Sequence, residues 1–367
     1  MNWKFFTKNK ISKTKVKKSK TREWVDAIIF AVVAATIIRG LLFSAYAIPS
    51  GSMEGTELTG DYLFVSKCSY GARMPFTPVS IPFTEPHIGI LMNMKSYWDG
   101  IQWPYMRIPG FTHVKKGDIV VFNKPSETGT PIDMRTTLIK RCQATAGDTL
   151  QIINTQVYIN GKPEATPPKA QTSYAVTFSS QDFNQQIFTD LNITVAGQIG
   201  PNTYEMIIPV DNMATFKSYS FIKSVTPVIA KAGVYSSEIF PFNPRFKWNL
   251  DNFGPLVIPK KGMTIPLDDS TVILYKYAIE QYEGNRLGRA GKGYTLNGKP
   301  AASYTFGMDY YWMMGDNRHN SEDSRFWGYA PEDHIVGKAV ITWFSTDPNK
   351  SIFTGGIRWS RILRPIN

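Results

Sequence analysis

The most pronounced pattern in the chain is an apolar stretch over residues 24–43, which contains only two charged side chains, Asp26 and Arg39. Twenty residues in an α-helix rise about 30 Å, which is the thickness of the hydrocarbon core of a bilayer. Asp26 and Arg39 are then expected near the two membrane interfaces, and Trp24 fits the aromatic belt at one of them. The pattern predicts one transmembrane helix over residues 23–44.

Beyond Tyr46 the hydrophobic pattern becomes strand-like. Short runs rich in Val, Ile, Tyr and Phe alternate with Gly, Pro and Asn, as at residues 61–65 and 118–122. The dipeptides Asn160-Gly161 and Asn297-Gly298 are typical of two-residue β-hairpin turns. The sequence therefore predicts a mainly β fold of antiparallel sheets attached to one N-terminal transmembrane helix.

The predicted organisation separates two parts that carry clusters of candidate catalytic residues from a long β-rich stretch without such clusters. We expect a basic tail over residues 1–22, the transmembrane helix over 23–44, the first part of a catalytic β domain over 45–150, an inserted β-rich subdomain over 151–305, and the second part of the catalytic domain over 306–367.

Positive charge is concentrated at the N-terminus. The formal net charge is +12, but residues 1–22 contain nine basic residues and no acidic one, so the rest of the chain carries only +3. A nucleic-acid binder would need basic residues spread over the β domain, and we therefore expect no nucleic-acid partner. A basic segment before an apolar one predicts a cytoplasmic tail and an extracytoplasmic β domain, with membrane lipid as a partner.

Two other interpretations of the N-terminus remain open. A cleaved signal peptide has the same basic-then-apolar order, and residues 44–47 (Ser-Ala-Tyr-Ala) are the nearest approach to a cleavage site. A buried helix of a soluble protein is the other, although it leaves the nine preceding bases without a purpose. We expect the membrane anchor.

The cysteines and histidines show no spacing typical of a metal site. The two cysteines, Cys68 and Cys142, are compatible with a single disulfide outside the cytoplasm, but two small buried apolar side chains are the expected case. The four histidines are scattered and form no His-Glu-x-x-His motif. We expect no metal and no cofactor.

Three segments carry the residue types of acyl-transfer chemistry. Ser52 follows Gly51, which allows a tight turn with neighbouring N–H groups directed at one point, although Ser-Gly-Ser is also common in linkers. Lys140 follows Leu138 and Ile139 on a predicted strand. Such a lysine ordinarily faces solvent, but burial would lower its pKa and let the neutral amine accept a proton from a serine.

The third segment, residues 314–328, is the densest. Its sequence Met-Gly-Asp-Asn-Arg-His-Asn-Ser-Glu-Asp-Ser-Arg-Phe-Trp-Gly lies next to an aromatic strand at residues 310–314. So many polar and charged residues between apolar flanks predict a buried hydrogen-bond network in place of a solvated loop.

In combination these segments resemble the bacterial type I signal peptidases (leader peptidases). The matching motifs are Ser-Gly-Ser-Met at residues 50–53, Gly-Asp-Tyr-Leu-Phe-Val-Ser-Lys at 60–67, Lys-Gly-Asp-Ile-Val-Val-Phe at 116–122, Ile-Lys-Arg with Ala-Gly-Asp at 139–148, and Gly-Asp-Asn-Arg-His-Asn-Ser at 315–321. They occur in the order found in that family, with a large insertion before the last motif.

The resemblance implies an antiparallel signal-peptidase-like fold and a membrane-bound serine endopeptidase that cleaves secretory preproteins after a small Ala-x-Ala-like site. It implies Ser52 as nucleophile and Lys140 as general base. The residues that correspond to supporting groups are Ser50 in the oxyanion hole, Ser321 bonded to the lysine amine, and Asp316, Arg141, Asp323 and Arg325 in structural ion pairs. The residues that correspond to substrate-pocket positions are Tyr46, Ile48, Met53, Leu138 and Ile139.

Some residues depart from the family pattern. Glu57 stands where a pocket leucine is usual, and His319 replaces the usual Asp of the last motif. His319 raises the alternative of a Ser–His mechanism, although a Ser–Lys pair accounts for the other residues. A tethered scaffold with a degenerate site is a further alternative, but neither Ser52 nor Lys140 is lost. A self-cleaving regulator would need a DNA-binding helical domain in place of the apolar helix.

Overall fold

The computed structural model describes residues 19–81, 84, 87–88, 94–180 and 184–366. Most of the predicted basic tail, residues 1–18, lies outside this range. The five α-helices of the described residues are α1 (Lys20–Ile37), α2 (Gln186–Asp190), α3 (Met213–Lys217), α4 (Asp269–Tyr277) and α5 (Ser324–Trp327).

Strands account for most of the remaining regular structure. In chain order they are β1 (Phe43–Ala47), β2 (Asp61–Ser66), β3 (His87–Ile88), β4 (Met94–Lys95), β5 (Ile119–Asn123), β6 (Thr137–Ala144), β7 (Thr149–Ile153), β8 (Gln156–Ile159), β9 (Lys162–Pro163), β10 (Gln171–Phe178), β11 (Thr194–Gly200), β12 (Thr203–Pro209), β13 (Ile222–Pro227), β14 (Phe253–Val257), β15 (Thr264–Pro266), β16 (Leu287–Ala290), β17 (Gly293–Leu296), β18 (Lys299–Ala301), β19 (Ser303–Thr305), β20 (Tyr310–Met314), β21 (Ala330–Pro331), β22 (Ile335–Ser345) and β23 (Arg364–Pro365).

Helix α1 continues through a π-helical turn, Ile38–Leu42, into β1. The combined helix has 23 residues, none of them buried against the protein, and by length and composition it is able to cross a membrane. It is the only such helix among the described residues. Residues 44–47, the nearest approach to a signal-peptide cleavage site, lie inside β1 and pair with β2.

The largest sheet has the order β1-β2-β22-β5-β6-β20-β21, and β23 pairs with β22. Every strand pair of the described residues is antiparallel, which confirms the predicted mainly β, antiparallel fold with an N-terminal apolar helix. The sheet gathers strands from both ends of the chain, so residues far apart in sequence meet on it. All five residues of β5 are buried, as expected for a strand at the middle of a sheet.

Smaller sheets fill the part of the chain between β6 and β20. One has the order β11-β12-β10-β13 and its own core, and another has the order β14-β7-β8-β9. The predicted hairpins at Asn160-Gly161 and Asn297-Gly298 are confirmed, because they connect β8 to β9 and β17 to β18 with positive φ at all four residues.

The predicted inserted subdomain, 151–305, stays a prediction as a unit. Strand β7 runs across the expected start of this subdomain at residue 151, and the largest apolar cluster joins side chains of the subdomain to those of β20. In that cluster Phe253 packs against Trp312, with ring centroids 5.1 Å apart. The segment is therefore packed directly against the sheet that carries the motif residues.

Candidate active site

Ser52 lies in the loop between β1 and β2, in a single 3₁₀ turn, Gly51–Met53. Such a turn leaves its first N–H groups without intrahelical acceptors, so they are available to another acceptor. Met53, the next residue, is completely buried in a small core with Ile48, Leu63 and Ile119. The buried methionine fixes the turn on the sheet and thereby fixes the position of Ser52.

Lys140 lies on β6, opposite Val120 of β5. Its side chain is only 4% exposed, so the solvent-facing orientation usual for such a lysine is not adopted. Lys140 Nζ lies 2.6 Å from Ser52 Oγ, a hydrogen-bond distance. Burial lowers the pKa of Lys140, against the smaller opposing effect of nearby carboxylates, of which Asp323 is the strongest.

Arg141 and Asp316 form a buried ion pair. Arg141 Nε lies 2.9 Å and Arg141 Nη2 2.8 Å from the two carboxylate oxygens of Asp316, and Thr56 Oγ1 donates to the same carboxylate at 2.6 Å. Because strand side chains alternate, Lys140 and Arg141 leave β6 on opposite faces. The pair links β6 to the loop that precedes β2 and to the loop after β20.

Asp323 and Arg325 form a second buried pair at the start of α5. Arg325 Nη2 lies 2.8 Å from Asp323 Oδ2, and the N–H of Gly315 donates to that same oxygen at 3.0 Å. Arg325 also donates to the carbonyl of Arg318 at 2.6 Å. The polar segment 314–328 is thus the buried network expected from the sequence, and it closes over the end of β20.

Ser321 differs from expectation. Its side chain is buried, but Ser321 Oγ has no hydrogen-bond partner among the described residues, so the expected bond to the Lys140 amine is not formed. It lies against Gly315, where an added Cβ would be 2.2 Å from Ser321 Oγ and 2.5 Å from the Ser52 carbonyl oxygen. Only glycine permits this close approach. Ser50 is exposed and extended immediately before the 3₁₀ turn.

The five expected pocket residues belong to three different apolar clusters. Ile48, Met53 and Ile139 share the small core beneath the turn. Tyr46 packs with Ile139 against a neighbouring cluster, and Leu138 packs against a third, which contains Phe122 and Trp327. Ile48 and Met53 are buried, so they pack the Ser52 turn against the core of the sheet.

His319 makes its contacts away from Ser52. Its Nε2 lies 2.8 Å from Asp251 Oδ1, and its Nδ1 lies 3.0 Å from the backbone nitrogen of Ser173 and 2.8 Å from Thr172 Oγ1. Both ring nitrogens are therefore occupied by the segment between β6 and β20. This geometry excludes the Ser–His alternative in the arrangement seen here.

Glu57 does not present its carboxylate to a surface pocket. It is 3% exposed and lies within 3.4 Å of Arg361 Nη2, while Thr342 Oγ1 donates to it at 3.1 Å. Arg361 is shared with Asp61, which it contacts through Nε at 3.0 Å. Burial raises the pKa of Glu57 to about 7; Arg361 opposes this shift, and the Asp61 carboxylate reinforces it.

Sequence reasoning missed Asn317 as a support of the Ser52 turn. Its backbone N–H donates to the Ser52 carbonyl at 3.1 Å, and its side-chain Nδ2 donates to the Gly51 carbonyl at 3.1 Å. Its place inside the polar motif was the available signal. Thr56 and Arg361 were missed as well, and no motif pointed to either of them.

The described residues contain no cluster of three or more His, Cys, Asp or Glu side chains able to hold a metal. Cys68 and Cys142 are both free thiols, Cys142 buried and Cys68 half-buried, so the disulfide considered from the sequence is not formed. Cys142 matches the expected small buried side chain.

Comparison with known proteins identifies the family. A family model described as "Signal peptidase, peptidase S26" matches residues 21–207 and 257–344. The chain is 27% identical over 326 residues to signal peptidase I of Buchnera aphidicola subsp. Schizaphis graminum, an alignment that covers 89% of this chain and 76% of that protein. It is 23% identical over 349 residues to signal peptidase I of Haemophilus influenzae (95% and 76% covered) and 25% identical over 336 residues to that of Rickettsia canadensis (91% and 84% covered).

The matched ranges exceed half of the chain and include β1, β2, β5, β6, β20 and all but the last residue of β22, which form most of the large sheet around Ser52 and Lys140. The chain therefore belongs to the S26 peptidase family, as a serine peptidase of the bacterial type I signal peptidases.

Proposed function

We propose that this signal peptidase cleaves secretory preproteins through an acyl-enzyme on Ser52, with Lys140 as general base. The observation that carries the proposal is the 2.6 Å separation of Lys140 Nζ and Ser52 Oγ, with the lysine almost fully buried. Burial disfavours the ammonium form, and only the neutral amine is able to accept the serine proton.

The chemical steps follow from these two groups. Neutral Lys140 takes the proton of Ser52 as its Oγ attacks the scissile carbonyl carbon. The ammonium then gives that proton to the leaving amine, and a water molecule, deprotonated by the regenerated amine, hydrolyses the ester. The Ser52 N–H and the Ser50 hydroxyl are the proposed donors to the oxyanion, and loss of one such donor typically costs about 3–4 kcal/mol of transition-state stabilisation.

The substrate preference in this proposal is for small residues at positions −1 and −3, as in Ala-x-Ala sites. Tyr46, Ile48, Met53, Leu138 and Ile139 would bound the small pockets as an apolar surround of the Ser52 turn. Residue 57, where the family usually has a leucine in the pocket wall, departs from that pattern: Glu57 contacts Arg361 and Thr342.

The proposed orientation places residues 1–22 in the cytoplasm and the β domain outside, with residues 23–44 in the cell membrane. The nine bases before the apolar helix support it through the positive-inside rule. The anchor would hold the site near the membrane surface, where a substrate's apolar segment ends, and would raise the effective substrate concentration.

The test compares wild-type protein, Ser52→Ala and Lys140→Met in detergent with an Ala-x-Ala preprotein from about pH 6 to about pH 10, a range that lies below the ordinary lysine pKa of about 10.4 and in which a lowered lysine pKa titrates. Only the wild type should cleave, and its rate should fall at low pH as Lys140 is protonated.

Lys67→Met is the matched control, because burial lowers the pKa of Lys67 to about 8 and this group would titrate in the same range. The control should retain the low-pH fall. Cleavage by Lys140→Met at the wild-type rate would rule out Lys140 as the base, and absence of cleavage by folded wild type would favour a non-catalytic, tethered role.

A further inference from the structure

The segment between β6 and β20 is bonded directly to the loop that supports Ser52. The backbone of Gln171, at the start of β10, pairs in parallel with Asn317: its N–H donates to the Asp316 carbonyl at 2.9 Å, and its carbonyl accepts from the Arg318 N–H at 2.8 Å. Asn317 in turn donates to the carbonyls of Ser52 and Gly51. The chain of contacts therefore runs from β10 through residues 316–318 to the nucleophile's turn.

His319 supplies the side-chain part of this link. The Ser173 backbone nitrogen is able only to donate, so Nδ1 is the acceptor and the ring proton lies on Nε2, directed at Asp251 Oδ1. Thr172 Oγ1 donates to the same Nδ1. The His319 imidazole thus joins the polar segment 314–328 to two separate stretches of the chain between β6 and β20, at residues 172–173 and at Asp251.

Asp251 is itself held rigidly. Its other carboxylate oxygen accepts the N–H of Ala230 at 2.8 Å, its own N–H donates to Asn249 Oδ1 at 3.1 Å, and its carbonyl accepts the N–H of Thr155 at 3.0 Å. The aspartate is 3% exposed. A buried aspartate held by one bond to its carboxylate and two to its backbone gives His319 a defined partner in place of a mobile one.

We propose that His319 and Asp251 are positioning residues for the peptidase reaction. Through these two residues, the segment between β6 and β20 holds residues 316–319 in place. Residues 316–319 in turn hold the Ser52 turn at the observed distance from Lys140. The inference rests on the proposed function of Ser52 and Lys140. Neither residue contacts the reacting atoms, so both act through Asn317. Because a displacement of about 1 Å at a reacting group is able to cost about 100-fold in rate, a loosened loop should lower kcat.

The variants separate the hydrogen bonds made by Nδ1 of His319 from the bond made by Nε2. His319→Ala removes both, His319→Asn retains an oxygen near the Nδ1 position, and His319→Gln retains an N–H group near the Nε2 position. Asp251→Asn replaces one acceptor oxygen by a donor, so it loses the bond either to His319 or to Ala230 while keeping its shape. Thr203→Val is the control, because it removes only the side-chain bonds of Thr203 to Thr177 Oγ1 and to the Pro201 carbonyl, in the same sheet as β10.

Full-length protein in detergent is assayed with a preprotein for kcat and KM, together with thermal unfolding. We expect His319→Ala to lose between about 10- and 100-fold in kcat with KM unchanged, partial recovery in His319→Asn or His319→Gln, a fall for Asp251→Asn, and wild-type kcat for Thr203→Val. An unchanged kcat, or a change in KM alone, overturns the inference. If His319→Ala does not fold, the shape-conserving Asp251→Asn decides.

Amide hydrogen exchange over residues 316–319 gives a readout that does not depend on activity. His319→Ala should lose protection at Asn317 and Arg318, whose N–H groups bond to Ser52 and Gln171. Unchanged protection overturns the positioning role. Wild type that does not cleave while this protection is lost in the variant would instead count against the proposed function alone.

Discussion

Replacing Glu57 by glutamine is expected to stabilise the protein at alkaline pH. The side chain is buried, and the cation that its carboxylate contacts, Arg361, is already neutralised by Asp61 through contacts at 3.0 and 3.1 Å. Asp61 also accepts from Ser345 Oγ at 2.6 Å. Glu57 is therefore a second carboxylate without a cation of its own, and a neutral amide of the same size should be better tolerated there.

The magnitude follows from the pKa. Burial raises the pKa of Glu57 from an ordinary 4.5 to about 7, so the folded state binds this proton more tightly than the unfolded state does. Stability linked to this group is then fully present below pH 4.5 and is lost as the pH rises through 7. A rise of the pKa from 4.5 to about 7 corresponds to about 3 kcal/mol, and the attraction of Arg361 already opposes that rise.

Urea unfolding of full-length protein in detergent at about pH 5 and about pH 8 measures this difference. Glu57→Gln should match the wild type within about 1 kcal/mol at the lower pH and exceed it by about 3 kcal/mol at the higher. Asp99→Asn, which removes a surface carboxylate paired with Lys95, should reproduce neither effect. Equal or lower stability of Glu57→Gln at the higher pH would refute the reasoning.

Three further outcomes are expected. Lys140→Arg keeps a cation that does not lose its proton, so preprotein cleavage should fall to the level of Ser52→Ala at all pH values; residual base-dependent activity would contradict this. Asp316→Asn leaves Arg141 buried without its carboxylate partner and should cost about 3–5 kcal/mol in urea unfolding, and a loss under about 1 kcal/mol would count against it. Gly161→Ala places a Cβ at φ 76° in a hairpin turn and should cost roughly 1–2 kcal/mol, with an unchanged midpoint as the contrary result.

The sequence predicted the features that depend on local pattern. The apolar stretch predicted a spanning helix, and the helix with its π turn covers Lys20–Leu42 against an expected 23–44. The two Asn-Gly turns lie where expected, because only residues that tolerate positive φ form these two-residue turns. The resemblance also implied that Asp316, Arg141, Asp323 and Arg325 form ion pairs, and the structure pairs Asp316 with Arg141 and Asp323 with Arg325.

Features that depend on distant residues could not be predicted. Ser321 was expected to bond the lysine amine but packs against Gly315 without a partner, because its position depends on how the loop after β20 folds back. The partner of His319, Asp251, is 68 residues away and belongs to a segment with no recognisable motif. The environment of Glu57 is set by Arg361, which is 304 residues further along the chain.

By itself the sequence determined the class of fold and the apolar helix, because these follow from hydrophobic periodicity, whereas the roles proposed for Ser52 and Lys140 came from the resemblance of its ordered motifs to the type I signal peptidases. Only the tertiary structure decided that Lys140 is buried and 2.6 Å from Ser52, since strand alternation offers two faces and the packing of β5, β6 and the polar loop selects one. The pKa of Lys140 is lowered for that reason, through burial that no local pattern encodes.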